Sequence, residues 1–206
     1  LDIYYQIKDS EVIQYDSTFS VSGTNHIKAW ARKGLKAYGE AFEINLYQHK
    51  GLEATISGLN EYFEGYTGGG DNCIVDGFRG TLNFRDGRWQ GYSGQDFTAT
   101  LSFNDVQKVD SIITSFFQYN LSWIFMPTKI TVYTSLDGNN YYNRVELDPQ
   151  ISDKAEGEFF EEFILTFPEV EAKYIKIKAE NYGKCPDWHP AAGSDAWLFV
   201  DEIRLY

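Results

Sequence analysis

Residues 75–81, Val-Asp-Gly-Phe-Arg-Gly-Thr, place oxygen-bearing side chains around a glycine-bearing turn. Asp76 and Thr81 stand five residues apart in this segment. Calcium takes about six to eight oxygen ligands, and a tight turn can direct several backbone carbonyls to one point. The residues alone favour an ordinary Asp-Gly turn, and a calcium ligand set is the alternative. Arg79 opposes a bound cation unless its side chain points away.

Aromatic residues are unusually abundant, with 15 Tyr, 15 Phe and 5 Trp making up 17% of the chain. Such residues favour β-strands and also form flat binding platforms. A ring of this kind stacks on the apolar CH face of a sugar, while flanking polar side chains bond the hydroxyl groups. The composition therefore indicates a β-rich recognition protein, without showing which rings bind a ligand.

Residue patterns for catalysis are weak. The three histidines, His26, His49 and His189, are scattered without metal-ligand spacing. Ser194 lacks the glycine-flanked context of a nucleophile elbow. The acidic residues of segment 158–162 resemble a solvated strand face, and no two acids stand out as a glycosidase pair. We therefore expect this chain not to be an enzyme.

The formal net charge of −12 disfavours polyanionic partners. Nucleic-acid binding and anionic membrane surfaces both need clustered Lys and Arg, and only 18 such residues are spread along the chain. No apolar run approaches the roughly 18 residues that predict a membrane span. The chain begins with Leu1 rather than Met, so we expect a fragment or a processed form. Cys73 and Cys185 form either one disulfide or two buried free thiols.

The elements that must position these residues are predicted to be antiparallel β-strands. Strand-like segments are 3–7, 26–32, 41–47, 97–103, 109–119, 129–134, 158–167, 173–178 and 196–206, and of these 97–103, 129–134 and 173–178 alternate. No segment has a sustained helical period. Asp137-Gly138 is a tight-turn signal between two strands. The pattern predicts an all-β fold with a sandwich or jelly roll, and a domain boundary near 48–51.

Five motifs in one order resemble the discoidin, or coagulation factor 5/8 type C, domain family over about residues 51–206. They are the Asp76 to Thr81 turn, Trp89 after it, the hairpin 131–138, the strand 172–177 and the final strand with Glu202. The resemblance implies a discoidin-like jelly-roll β-sandwich. In the carbohydrate-binding branch it also implies a structural calcium ion. Its ligands here would be Asp76, Thr81 and Glu202, with backbone carbonyls near Phe78 and Thr81.

The same resemblance implies a sugar site on the loops at one end of the sandwich. The expected ligand-binding residues are Tyr66, Tyr92, Gln95, Asp187, Trp188 and His189. Trp89, Trp197 and Phe199 are expected in the core, and Trp123 and Phe125 as loop anchors. The usual Arg and His of the first loop have no counterpart in 60–70, so galactose-type specificity does not follow.

Residues 1–48 show a second resemblance, to the chitobiase or β-hexosaminidase C-terminal module. The segments 3–7, 15–21 and 27–31 follow that module's order of motifs. The resemblance implies a small, truncated immunoglobulin-like β-sandwich, with covalently linked hydrolase domains upstream. The parent would then be a secreted or periplasmic glycoside hydrolase of the β-hexosaminidase or chitobiase type.

Together these observations predict a non-catalytic carbohydrate-binding accessory module that recognises a neutral or amino sugar, in an extracellular or periplasmic location. The alternative is an interdomain packing or protein-interaction module without sugar binding. In that case Trp123, Phe125 and Trp188 would serve as interface anchors, because aromatic residues dominate interface hot spots.

Overall fold

Eleven antiparallel β-strands and three short 3-10 helices form two sheets in the computed structural model, which describes residues 1–206. The strands are β1 (Asp2–Ile7), β2 (Ile13–Gln14), β3 (Asn25–Lys33), β4 (Lys36–Leu46), β5 (Thr55–Ser57), β6 (Gln90–Ser93), β7 (Phe97–Gln118), β8 (Lys129–Ser135), β9 (Tyr142–Leu147), β10 (Phe159–Glu180) and β11 (Trp197–Leu205). The 3-10 helices are Lys50–Glu53, Asp71–Val75 and Asn120–Ser122. The predicted all-β class is confirmed. No helix is long and apolar enough to cross a membrane.

The first sheet contains β1 to β4 in the order β2-β1-β3-β4. Only Ile44 of its residues is buried, and no second sheet faces it. The structure therefore shows one layer where a small immunoglobulin-like sandwich was predicted. The physical reason is that all four strands pair edge to edge, which leaves none to build an opposing layer. The boundary between 1–48 and 51–206 stays a prediction.

The second sheet folds over itself to make the predicted β-sandwich. Its strand order is β6-β11-β7-β10-β8-β9, with β5 also pairing with β7. β7 and β10 are each 22 residues long, and their pairing shifts register between Thr166 and Val170 and between Ala172 and Tyr174. Such irregularities let one strand pass from one layer to the other. The early half of β7 therefore pairs beside β5, and its late half beside β11.

The core lies between these two layers. Residues from both halves of β7 and β10 meet in a single cluster of 25 buried residues, with Leu101, Phe116 and Ile175 fully buried. A second cluster contains Trp89 and Phe199, as predicted for both. Cys73 and Cys185 are buried free thiols, which is the second of the two alternatives given by the sequence.

Candidate functional site

A cleft of about 830 Å³ opens at one end of the sandwich and is called here the Trp188 cleft. Three connections form it: the β7–β8 segment, the residues before β10, and the long connection between β10 and β11. Its walls include Tyr119, Leu121, Lys154, Glu156, Glu158 and Trp188. Loops carried by a rigid sandwich are where binding residues are usually found.

The indole of Trp188 lines this cleft and is fixed by a hydrogen bond. Its side chain is 39% exposed, and its Nε1 donates a hydrogen bond to Asp153 Oδ2 at 3.0 Å. The Tyr182 hydroxyl donates to the same oxygen at 2.9 Å. Although burial acts against it, these two hydrogen bonds lower the pKa of Asp153. A fixed carboxylate therefore orients an aromatic side chain that remains partly exposed in the cleft.

His189 also lines the cleft, but both of its ring nitrogens are engaged within the chain. Its Nε2 lies 2.7 Å from the Asn120 carbonyl oxygen, and its Nδ1 accepts a hydrogen bond from Ala191 N at 3.0 Å. This pairing selects the neutral tautomer with the proton on Nε2. His189 therefore joins two connections and offers no free nitrogen to a sugar, contrary to its predicted role.

The structure does not bring the six predicted ligand residues together. Trp188 and His189 share the cleft, and Asp187 is exposed beside them. Tyr92 is fully buried and donates to Gln90 Oε1 at 2.8 Å, so its predicted ligand role is wrong. Strand β6 directs that ring into the core, where burial raises its pKa. Gln95 lines a separate small pocket beside Tyr62 and Phe63.

Tyr66 belongs to a second concavity of about 280 Å³, called here the Trp123 groove. Its lining includes Tyr66, Phe84, Arg85, Trp123, Trp197 and Phe199. Leu121 lines both the groove and the Trp188 cleft, and is 71% exposed between them. Trp123 is 40% exposed and adopts φ 66°, a left-handed conformation that bulky residues rarely take.

Sequence reasoning favoured a structural anchor for Trp123, with an interface anchor as the alternative, and did not place its ring beside a groove. A left-handed backbone is usually predicted from glycine or asparagine, and the segment around Trp123 contains no such signal at that position. Phe125, by contrast, is buried against Tyr182 as predicted.

The predicted calcium residues lie around a buried carboxylate. Glu202 Oε1 accepts hydrogen bonds from His49 Nε2 at 2.8 Å and from Gly77 N at 3.1 Å. Glu202 Oε2 is buried and has no partner. Burial, followed by the negative charges of Asp76 and Asp201, raises the pKa of Glu202 well above its ordinary value. A cation between Asp76 and Glu202 would relieve this repulsion, so these two residues fit the predicted ion.

The other predicted ligands fit less closely. The Thr81 hydroxyl accepts from Asn83 N at 3.2 Å, and the Thr81 carbonyl accepts from Trp89 Nε1 at 3.1 Å. Phe78 N donates to Asp76 Oδ1 at 2.9 Å. No group of three or more His, Cys, Asp or Glu side chains converges, so backbone carbonyls would have to complete the shell. The Arg79 guanidinium is turned to Glu162, with Nη1 2.6 Å from Oε1.

Comparison with known proteins finds solved structures of similar fold. No curated protein matches the chain. Among solved structures, the module CpGH89CBM32-5 from Clostridium perfringens, in complex with GalNAc-β-1,3-galactose, is 13% identical with a TM-score of 0.50. The match covers 76% of this chain and 96% of that one. CBM32-3 from a family 31 glycoside hydrolase of the same organism is 12% identical with a TM-score of 0.48, over 76% and 92% of the two chains.

The sequence itself gives the family. The model of the F5/8 type C domain matches residues 55–193, which is more than half of the chain and spans β5 to β10 together with most of the connection that holds Trp188. The fold, the order of motifs and this match agree, and the chain belongs to the F5/8 type C domain family.

Proposed function

We propose that this chain is a non-catalytic carbohydrate-binding module whose main site is the Trp188 cleft. The observation that carries the proposal is the exposed indole of Trp188, fixed by Asp153 beside a polar rim. A pyranose ring can lay its CH face on the indole, while Lys154, Glu156 and Glu158 bond its hydroxyl or amino groups. A module of the same fold has been solved with GalNAc-β-1,3-galactose, which supports a glycan ligand.

The charges in the cleft favour a neutral or amino sugar. Two carboxylates, Glu156 and Glu158, face a single ammonium group from Lys154, whose Nζ lies 5.6 Å from the centre of the Trp188 ring. An anionic sugar would meet net repulsion there. The parent we propose is a secreted glycoside hydrolase of the β-hexosaminidase or chitobiase type, acting outside the cell or in the periplasm. The resemblance of residues 1–48 supports it.

Trp188→Ala is expected to weaken glycan binding by roughly thirty-fold, or about 2 kcal/mol, because a central Trp is typically a hot spot. A glycan array identifies the ligand, and isothermal titration calorimetry measures its affinity for each variant. Tyr142→Ala is the matched control, since Tyr142 is an exposed aromatic residue on β9, outside the cleft. Equal affinities for the Trp188 variant and the unchanged protein would contradict the proposal.

We also propose that a structural calcium ion lies between Asp76 and Glu202. When bound, the ion would supply positive charge to two carboxylates that otherwise repel each other. The unpartnered, buried Oε2 of Glu202 is the observation that supports it. Arg79 does not oppose the ion, because its guanidinium is bonded to Glu162 and lies over the Phe160 ring.

A second candidate function is packing against a covalently linked neighbouring domain through the sheet of β1 to β4. The register places Ile3, Tyr5, Ile27, Ala29 and Phe42 on one face. This face is open: Ile3 and Phe42 are both exposed, and the ring of Phe19 stacks on Tyr5 at 4.3 Å. A contiguous apolar face of this size marks an interaction site.

Amide hydrogen exchange tests this candidate. The amides of β1, β3 and β4 are expected to exchange more slowly when the chain is joined to its neighbouring domain than when it is alone. Phe42→Lys should remove that difference, because it places a charge in the apolar contact, while the control Glu40→Lys should not. Identical exchange with and without the neighbouring domain would rule this interface out.

A further inference from the structure

The Trp123 groove differs in charge from the Trp188 cleft. Its lining contains one charged side chain, Arg85, and no carboxylate. Arg79 and Arg204 are paired, since both bond to Glu162. Arg85 joins no ion pair, and its guanidinium lies 4.6 Å from the centre of the Phe84 ring. In a chain of net charge −12, an unpaired cation beside an aromatic groove is an anion-recognition feature.

The loop of residues 81–88, which carries Arg85, is fixed by its own hydrogen bonds. Asp86 Oδ2 accepts from Thr81 N at 2.6 Å, and Asp86 Oδ1 accepts from Arg88 N at 2.9 Å. Asn83 Oδ1 accepts from Arg85 N at 3.1 Å. Both carboxylate oxygens of Asp86 therefore accept backbone N–H groups. The N–H groups of the Arg85 guanidinium remain available to a ligand.

The aromatic floor of the groove is rigid. Tyr66 packs edge to face on Trp197 and Phe199, with ring centres 5.6 and 4.9 Å apart. Phe84 packs in the same way on Phe199 at 5.5 Å. Buried edge-to-face contacts hold rings in defined orientations. A ligand therefore meets a surface that needs no reordering.

Trp123 forms the rim of the groove and is held in a strained conformation. Its N–H donates to Asn120 O at 2.8 Å, and its carbonyl accepts from Trp197 N at 2.8 Å. These bonds keep φ at 66° and leave the indole 40% exposed. Strain of this kind persists only where the surrounding structure over-determines it, and it concentrates at ligand sites.

We propose that the Trp123 groove is a second sugar subsite that takes a carboxylate-bearing residue, a hexuronic acid. The CH face of the sugar stacks on Trp123 and Tyr66, and its carboxylate pairs with the Arg85 guanidinium, whose planar fork matches a carboxylate in two-point geometry. The choice of a sugar rests on the proposed function. Because Leu121 lines both groove and cleft, one glycan with a uronic acid beside a neutral or amino sugar could fill both.

The test uses hexuronic acid trisaccharides of the galacto, gluco and manno configurations, each paired with its carboxyl-reduced counterpart. Titration calorimetry at low salt is expected to show at least one acidic trisaccharide binding about ten-fold or more tightly than its reduced partner, because charge-assisted bonds to Arg are strong. Arg85→Gln should abolish that difference. Arg32→Gln is the matched control, since the Arg32 guanidinium also lies over aromatic rings, those of Tyr4 and Trp30, but lines neither the Trp123 groove nor the Trp188 cleft.

A second variant separates loss of the ring from loss of the fold. Trp123→Gly removes the indole at a backbone angle that glycine adopts freely, so the protein should stay folded and lose acidic-sugar binding. The inference is overturned if no acidic trisaccharide is preferred over its reduced partner, or if Arg85→Gln keeps the preference. Neutral-glycan binding that depends on Trp188 would in that case leave the proposed function intact. No glycan binding of any kind would overturn both.

Discussion

Asp201→Ala is expected to lower the free energy of unfolding by about 3–5 kcal/mol, the cost of removing one partner from a buried charge network. Asp201 is fully buried on β11. Its Oδ2 accepts from Gly80 N at 2.9 Å, and its Oδ1 accepts from the Ser115 hydroxyl. Arg79 Nε lies 3.8 Å from Oδ2. The alanine variant leaves the Ser115 hydroxyl and the Gly80 N–H without an acceptor. It also removes a negative charge that lies beside Arg79.

Asp201 belongs to a network of carboxylates and arginines. Glu162 bonds both Arg79 and Arg204, so that two carboxylates face two guanidinium groups. The arginines are also covered by rings, Arg79 by Phe160 and Arg204 by Tyr47, each at 4.3 Å. Deleting Asp201 leaves Arg79 with one carboxylate partner, Glu162, which it shares with Arg204. That loss of a buried partner is the main reason for the large effect.

Urea denaturation at about pH 7.5 measures this loss, because burial raises the pKa of Asp201 to about 6 and the group is ionised above that value. Asp195→Ala is the matched control. Asp195 Oδ1 lies 2.6 Å from Lys184 Nζ, but both side chains are exposed, so about 0–1 kcal/mol is expected. If Asp201→Ala and Asp195→Ala lower the free energy of unfolding by similar amounts, burial does not explain the importance of Asp201.

The strands could largely be predicted from the sequence because alternation is a local property. The segment 173–178 alternates and lies within β10, as predicted. The predicted strands 97–103 and 109–119, however, are parts of one strand, β7. The exposed residues between them read as a break in the pattern, whereas the structure bends the strand there and continues its pairing with β10. Alternation identifies strands but does not show where one strand changes layer.

The number of layers was also beyond local reasoning. Strands 3–7, 26–32 and 41–47 are present as predicted, yet they pair side by side in one sheet. An apolar sheet face predicts that another surface packs on it. It does not show whether that surface belongs to the same 48 residues or to another domain.

Site residues were predictable only where exposure follows from a loop. Trp188 lies in a proline-bracketed connection and is exposed as expected. Its partner Asp153 is 35 residues earlier, and Asp201 bonds donors 86 and 121 residues away. Such pairings depend on how the strands are ordered across the sheet, so the spacing of the residues along the chain does not predict them. Arg79, which looked like an obstacle to calcium, is explained by Glu162 in the same way.

Calcium removal is expected to produce the second large effect. With free calcium at about 100 times its dissociation constant, the ion should stabilise the fold by about 2.7 kcal/mol, and EDTA should remove this and lower the melting temperature. The reason is the charge of Glu202, whose pKa is raised by burial and by Asp76 and Asp201, and whose Oε2 has no donor. A bound cation would offset that cost, whereas without it the buried acid either remains an uncompensated carboxylate or takes up a proton.

The variant Glu202→Gln distinguishes the effect of losing the ion from the effect of disturbing the fold. The side-chain amide keeps the size of the carboxylate and one oxygen that can still accept from Gly77 N, but it loses the charge that attracts calcium. This variant should melt at the same temperature with and without EDTA, whereas Glu169→Gln, an exposed substitution, should keep the full response. Identical melting curves for the unchanged protein in calcium and in EDTA would exclude the ion. In that case the raised pKa of Glu202 would mean that a proton, rather than a metal, neutralises this buried acid.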